Sequence, residues 1–108
     1  MISKTVNELP GLDDIKKIPE EQIKSFRENG HTLVRNILSP EEAAAYREVI
    51  VEAAGKYNTE KRKLEERDTY GKAFLQIMNL WRVDERVKKF VLAKRFAKIA
   101  ADLLGVKN

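Results

Sequence analysis

The tetrapeptide Ser39-Pro40-Glu41-Glu42 constrains this chain more than any other feature, because it starts a helix at a defined residue. A hydroxyl at Ser39 can accept from the backbone N–H of the third helical residue while Glu42 reaches back, and Pro40 is pre-set for the first position. Behind it, Ala43, Tyr46, Ile50, Ala53, Ala54 and Tyr57 recur at helical spacing. The pattern predicts a long helix with one buried stripe.

The segments on either side read less uniformly. Residues 1–18 mix Pro10, Gly11 and Asp13-Asp14 with scattered apolar residues and no sustained period, which predicts an extended or loosely attached lead-in. From Pro19, the acidic Glu20 and Glu21 suit a helix N-terminus, Ile23 and Phe26 supply an apolar stripe, and Asn29-Gly30 supplies the stop. The run His31 to Leu38 is short, β-branched and placed after a glycine, which predicts a strand centred on Leu33 to Asn36. Asn58 to Lys72 is almost wholly polar and reads as an exposed loop, either a lid over a site or simply mobile. Ala73 to Trp81 is apolar apart from Gln76 and Asn79 and short enough to predict a second strand. Two amphipathic helices follow, one starting at Asp84 with Val83, Val87, Phe90 and Val91 on its stripe. The other carries Phe96, Ile99, Ala100, Leu103 and Leu104 and is closed by Gly105.

The expected fold class is therefore α+β and predominantly helical, with four helices and two short strands in one unit, residues 19–108, behind the lead-in. Two strands alone make a marginal sheet, so sheet partners are missing from this reading. With 108 residues, 43% hydrophobic and 35% charged, one small domain is the ceiling and wholesale disorder is excluded. The chain has no cysteine, no apolar stretch near the ~20 residues that span a bilayer, and no signal-peptide hydrophobic segment over Met1 to Pro10. A cytoplasmic location is the expectation.

Chemistry is sparse. His31 is the single imidazole, and Leu33 stands where a His-x-Asp pair would place its carboxylate, so no metal ligand and no catalytic residue is assigned. The acidic pairs Glu41-Glu42, Glu65-Glu66 and Asp84-Glu85 are explained by helix starts and solvation. Isolated glycines make no phosphate cradle. Arg82, Arg86, Lys88, Lys89, Lys94, Arg95 and Lys98 crowd the C-terminal quarter, either as a solvated helix face or as a surface that attracts phosphate. Gln76 and Asn79, as amides in an apolar strand, either address a ligand or are satisfied by backbone; strand alternation turns them to opposite faces.

The order of these pieces resembles a known family. "FRENGHTLVRNILSPEEAAAYREVI" followed by "FLQIMNLWRVDERVKKFVLAKRFAKIAADLLGV" is similar to the N-terminal region of the phytanoyl-CoA dioxygenase family, across residues 20–108. The resemblance implies an iron(II)- and 2-oxoglutarate-dependent oxygenase with a double-stranded β-helix. The iron and 2-oxoglutarate ligands of that family lie downstream of the matching region, so none is carried over. It further implies that Gln76 and Asn79 lie on the substrate side, that residues 58–72 form a lid, and that Lys88, Lys89 and Lys94 dock an acidic group such as that of coenzyme A. The implied partner is the remainder of the oxygenase domain. Two other classes compete: a helical interaction module without catalysis, including a homodimer paired through strand edges, and a small basic nucleic-acid binder, the less favoured.

Overall fold

The computed structural model describes residues 4–107; the first three residues of the expected lead-in and Asn108 lie outside that range. After a 3₁₀ turn, Val6–Glu8, come α1 (Glu20–Asn29), α2 (Pro40–Tyr57), a second 3₁₀ turn (Leu64–Glu66), α3 (Thr69–Ala73), α4 (Leu80–Val83), α5 (Glu85–Val91) and α6 (Lys94–Leu104). No strand occurs among the described residues, which corrects the α+β expectation to an all-helical one.

Both expected strands fail for the same reason: a strand needs a ladder partner, and neither segment has one. In the run after α1, the Leu33 carbonyl accepts from the Gln22 side-chain amide at 3.1 Å, and Asn36 adopts a left-handed φ of 61° that breaks an extended run. The second run is divided between elements. Ala73 closes α3, Leu80 and Trp81 open α4, and Asn79, with φ 59°, turns the chain between them. β-Branched and aromatic residues favour a pleated surface only where neighbouring strands supply one.

The four expected helices correspond to α1, α2, α5 and α6, because their start and stop signals are local. Ser39 Oγ accepts from Glu42 N at 3.1 Å and Glu42 Oε1 accepts from Ser39 N at 2.8 Å, the reciprocal cap read from the sequence. Asp84 accepts from the N–H groups of Arg86 and Val87 and so starts α5. Gly105, at φ 73°, ends α6 in the left-handed region, and a Cβ there would lie 1.7 Å from Arg27 Nη2 of α1. The expected loop between α2 and α3 is exposed yet internally tied: Arg62 donates to Glu60 at 3.0 Å and Arg67 donates to the Arg62 carbonyl at 3.1 Å.

The stripe on α2 is displaced from the expected one. Ala45, Tyr46, Val49 and Ala53 are buried, whereas Ala43 is exposed and Ile50, Ala54 and Tyr57 are half-buried. Which edge of an alanine-rich helix faces inward is set by what packs on it. Here that is α5 and the lead-in: Tyr46 stacks against Phe90 at 5.1 Å, Phe90 meets Phe96 at 5.0 Å, and Tyr46 donates its hydroxyl proton to the Pro10 carbonyl. Leu9 and Leu12 complete the core with Ala45, Val49 and Ala93. The lead-in is thus extended but firmly attached.

This core is thin. The radius of gyration is 17.1 Å, against roughly 13 Å for a compact domain of this length. Several large apolar side chains outside the core are left on the surface, among them Phe74, Leu75 and Met78 between α3 and α4.

Candidate functional site

Residues 74–79 form the most exposed apolar stretch that the sequence reading singled out. Phe74 leaves α3 with extended backbone angles and is 58% exposed, Leu75 is 54% exposed and Met78 76%. Tyr70, also exposed, lies against Phe74 with ring centroids 5.0 Å apart, so an aromatic pair begins the stretch. Gln76 and Asn79 are both exposed, and Asn79, the residue before α4, makes no side-chain cap to that helix. The two amides therefore face solvent beside an apolar ribbon, without the strand alternation expected for them.

The three lysines proposed to dock an acidic group are used differently from one another. Lys89 Nζ donates to the carbonyls of Val6 and Leu9, at 2.9 and 3.0 Å, and ties α5 to the first 3₁₀ turn. Lys88 is half-buried. Lys94 has an exposed side chain, and its backbone N–H is held by Asp13 Oδ1 at 3.2 Å. His31 is exposed, and no group of three or more His, Cys, Asp or Glu side chains is placed to hold a metal among the described residues.

The main polar cluster was not anticipated. Arg95, only 2% exposed, donates from Nη1 to Glu42 Oε1 at 2.8 Å and to the Ile37 carbonyl at 2.8 Å. From Nη2 it donates to Glu42 Oε2 at 3.0 Å and to Asp14. Its backbone N–H donates to the Leu12 carbonyl at 3.0 Å, while its Nε, buried, has no hydrogen-bond partner. One guanidinium thus joins the lead-in, the chain before α2, the first turn of α2 and the start of α6. The sequence did hold a signal: Arg95 stands four residues before Ile99, on the buried side of α6, and so is a charge on an apolar stripe. Counting it with the neighbouring lysines as a basic face concealed that.

A second cluster has the same form. Arg86 Nη2 lies 2.8 Å from Asp84 Oδ2 and 3.3 Å from Glu52 Oε1, and its Nη1 donates to the Lys4 carbonyl at 3.2 Å. The arginine side chain again fastens the N-terminal segment, here to α2 and α5.

The Arg95 cluster is a clamp rather than a proton-transfer site. The Arg95 guanidinium, followed by the Ser39 backbone N–H, lowers the Glu42 carboxyl from 4.5 to about 2, and hydrogen bonding from Arg95 lowers Asp14 as well. A general base poised near neutrality needs the opposite shift. Lowered carboxyl groups contribute stability that is complete above their unfolded values, near 4, and is lost as pH falls through the folded ones. We expect acid unfolding to be steep between about pH 4.5 and pH 2. Glu42→Gln should reduce that slope while lowering stability at pH 7, read by circular dichroism along a pH series; an unchanged slope would remove Glu42 from the linkage.

Among the described residues no helix is long and apolar enough to cross a membrane. No protein-family model matches the sequence, and no curated protein and no solved structure matches it either.

Proposed function

We propose that this chain is the helical N-terminal part of an iron(II)- and 2-oxoglutarate-dependent oxygenase of the phytanoyl-CoA dioxygenase type, inactive by itself. The observation that carries the reading is the ribbon Phe74 to Asn79: apolar, outside any helix, and exposed along most of its length. Exposed Phe, Leu and Met side chains in a row, each worth about 1.5–3 kcal/mol on full burial, call for a covering surface. The partner in this reading is the remainder of the oxygenase domain, which would cover the ribbon and the aromatic pair Tyr70 and Phe74.

The described residues offer no set that fits iron, so no chemical step is assigned to this chain. Its roles are positional. Gln76 and Asn79, both exposed in the ribbon, are the side chains that would address the substrate, and the segment 58–72 would serve as the lid over it. The sequence contains no cysteine, which fits the cytoplasm.

A helical interaction module without catalysis is the second reading, since the same ribbon would suit a protein partner or a second copy of the chain. Two measurements separate them. The coding sequence following Asn108 is expected to continue in frame to a His-x-Asp motif; a stop codon in its place favours the module. Backbone amides 74–79 are expected to exchange rapidly in the 108-residue chain and to become protected when that downstream polypeptide is co-expressed. Rapid exchange in both would overturn the oxygenase reading.

A further inference from the structure

We propose that the cleft between residues 16–19 and 33–37 binds a phosphate group. The cleft has a volume of about 240 Å³ and is lined by Lys16, Lys17, Arg35 and Asn36 together with the buried Ile18 and Ile99. None of its lining residues carries a carboxylate. Lys16, Lys17 and Arg35 make no side-chain hydrogen bond or ion pair among the described residues. The cations gathered here therefore lack a counter-charge.

The carboxylates that precede Lys16 and Lys17 are engaged elsewhere. Asp13 accepts from the Lys94 backbone and Asp14 from Arg95, so the chain that brings Lys16 and Lys17 to the cleft turns its own acids away from it. Glu20 lines an adjoining depression with Lys17, yet forms no ion pair with it. The backbone on both sides of Arg35 is tied: the Leu33 carbonyl accepts from Gln22 and the Ile37 carbonyl from Arg95.

Charge and size choose the ligand. A cleft that gathers one guanidinium and two ammonium side chains suits a dianionic phosphate better than a carboxylate, with Arg35 able to supply paired N–H donors. The volume lies below the ~300–1,000 Å³ of sites that enclose a drug-sized ligand, so the part of a ligand that the cleft itself holds is its phosphate group. That group can belong to a small phosphate monoester or to a lipid headgroup. Exposed Leu33, which lines the cleft, and exposed Ile15, next to Lys16 in the chain, would enter the acyl region in the second case. The inference is independent of the oxygenase reading.

The test is a titration of the ¹⁵N-labelled 108-residue chain with inorganic phosphate at constant ionic strength, followed by amide chemical shifts. Saturable shifts confined to residues 16–19 and 33–37 are expected. Arg35→Glu should weaken them by roughly tenfold or more, while Lys61→Glu, in the loop after α2, leaves them unchanged. Circular dichroism checks that the variants fold; Lys17→Glu serves if Arg35→Glu does not. A parallel sedimentation with phosphatidic acid vesicles and with phosphatidylcholine vesicles distinguishes the sources. Retention on the former alone, lost in Arg35→Glu, assigns the phosphate to a lipid headgroup. Non-saturable shifts, or an equal response to Lys61→Glu, together with no selective retention on vesicles, would overturn the proposal.

Discussion

Arg95→Ala is expected to destabilise the protein by about 3 kcal/mol, the lower end of the ~3–5 kcal/mol lost when one partner of a buried ion pair is removed. The lower end applies because the two carboxylates differ in what they lose. The Asp14 side chain is 66% exposed and regains water readily, whereas that of Glu42 is 17% exposed and keeps only its bond from the Ser39 N–H. The Ile37 carbonyl loses its donor in the same step. Against a total stability of roughly 0.05–0.15 kcal/mol per residue, such a loss takes a large share. Urea unfolding would show it as a lower midpoint at constant slope. The double variant Arg95→Met with Glu42→Gln removes both charges and retains an acceptor for Ser39. It is expected to cost less than Arg95→Ala alone, since no buried charge is left without its partner. If the double variant loses the sum of the two single losses, the pair is not coupled and the clamp is wrongly described.

Leu12→Ala should cost about 2–5 kcal/mol, as large-to-small substitutions do in a well-packed core. Leu12 is 1% exposed and packs with Tyr46 and Ala93, and its carbonyl also receives the Arg95 N–H. Ile15→Ala, three residues on and more than half exposed, should stay within about 0.5 kcal/mol. The contrast between two neighbouring aliphatic residues tests the attachment of the N-terminal segment directly. Equal effects, measured by thermal or urea unfolding, would mean that the segment does not form part of the core.

These two sites also show how far the sequence could be read. Glu42 was legible as half of a helix cap, and the structure retains that role, but the same carboxylate carries a second one, as the partner of Arg95. Nothing local to residue 42 announces the second role, because the partner lies 53 positions away. Leu12 was hidden differently. With Pro10 and Gly11 before it and Asp13 and Asp14 after it, it belongs to no periodic pattern, so periodicity could not mark it as buried. Arg95 had a visible signal in its spacing from Ile99, overridden by the lysines around it.

The apolar segments that suggested strands are a third case. Their residue types favour a pleated surface only where a neighbour supplies one, and pairing belongs to two segments and not to one. With no partner segment among the described residues, the first run is bent at Asn36, and the second is shared between α3, a turn at Asn79 and α4.

What the sequence by itself determined are the starts of α2 and α5 and the stops of α1 and α6. Capping side chains act within three or four residues of the backbone they satisfy, and the glycines at 30 and 105 accept the left-handed turn without help from elsewhere. Only the tertiary structure decided which edge of α2 faces inward, that the lead-in supplies Leu9 and Leu12 to the core, and that Arg95 is enclosed by Asp14, Glu42 and Ile37. Each of those outcomes depends on groups far apart in the chain meeting in space, and a buried charge or an extended segment is stabilised by its partner and not by its own residue type.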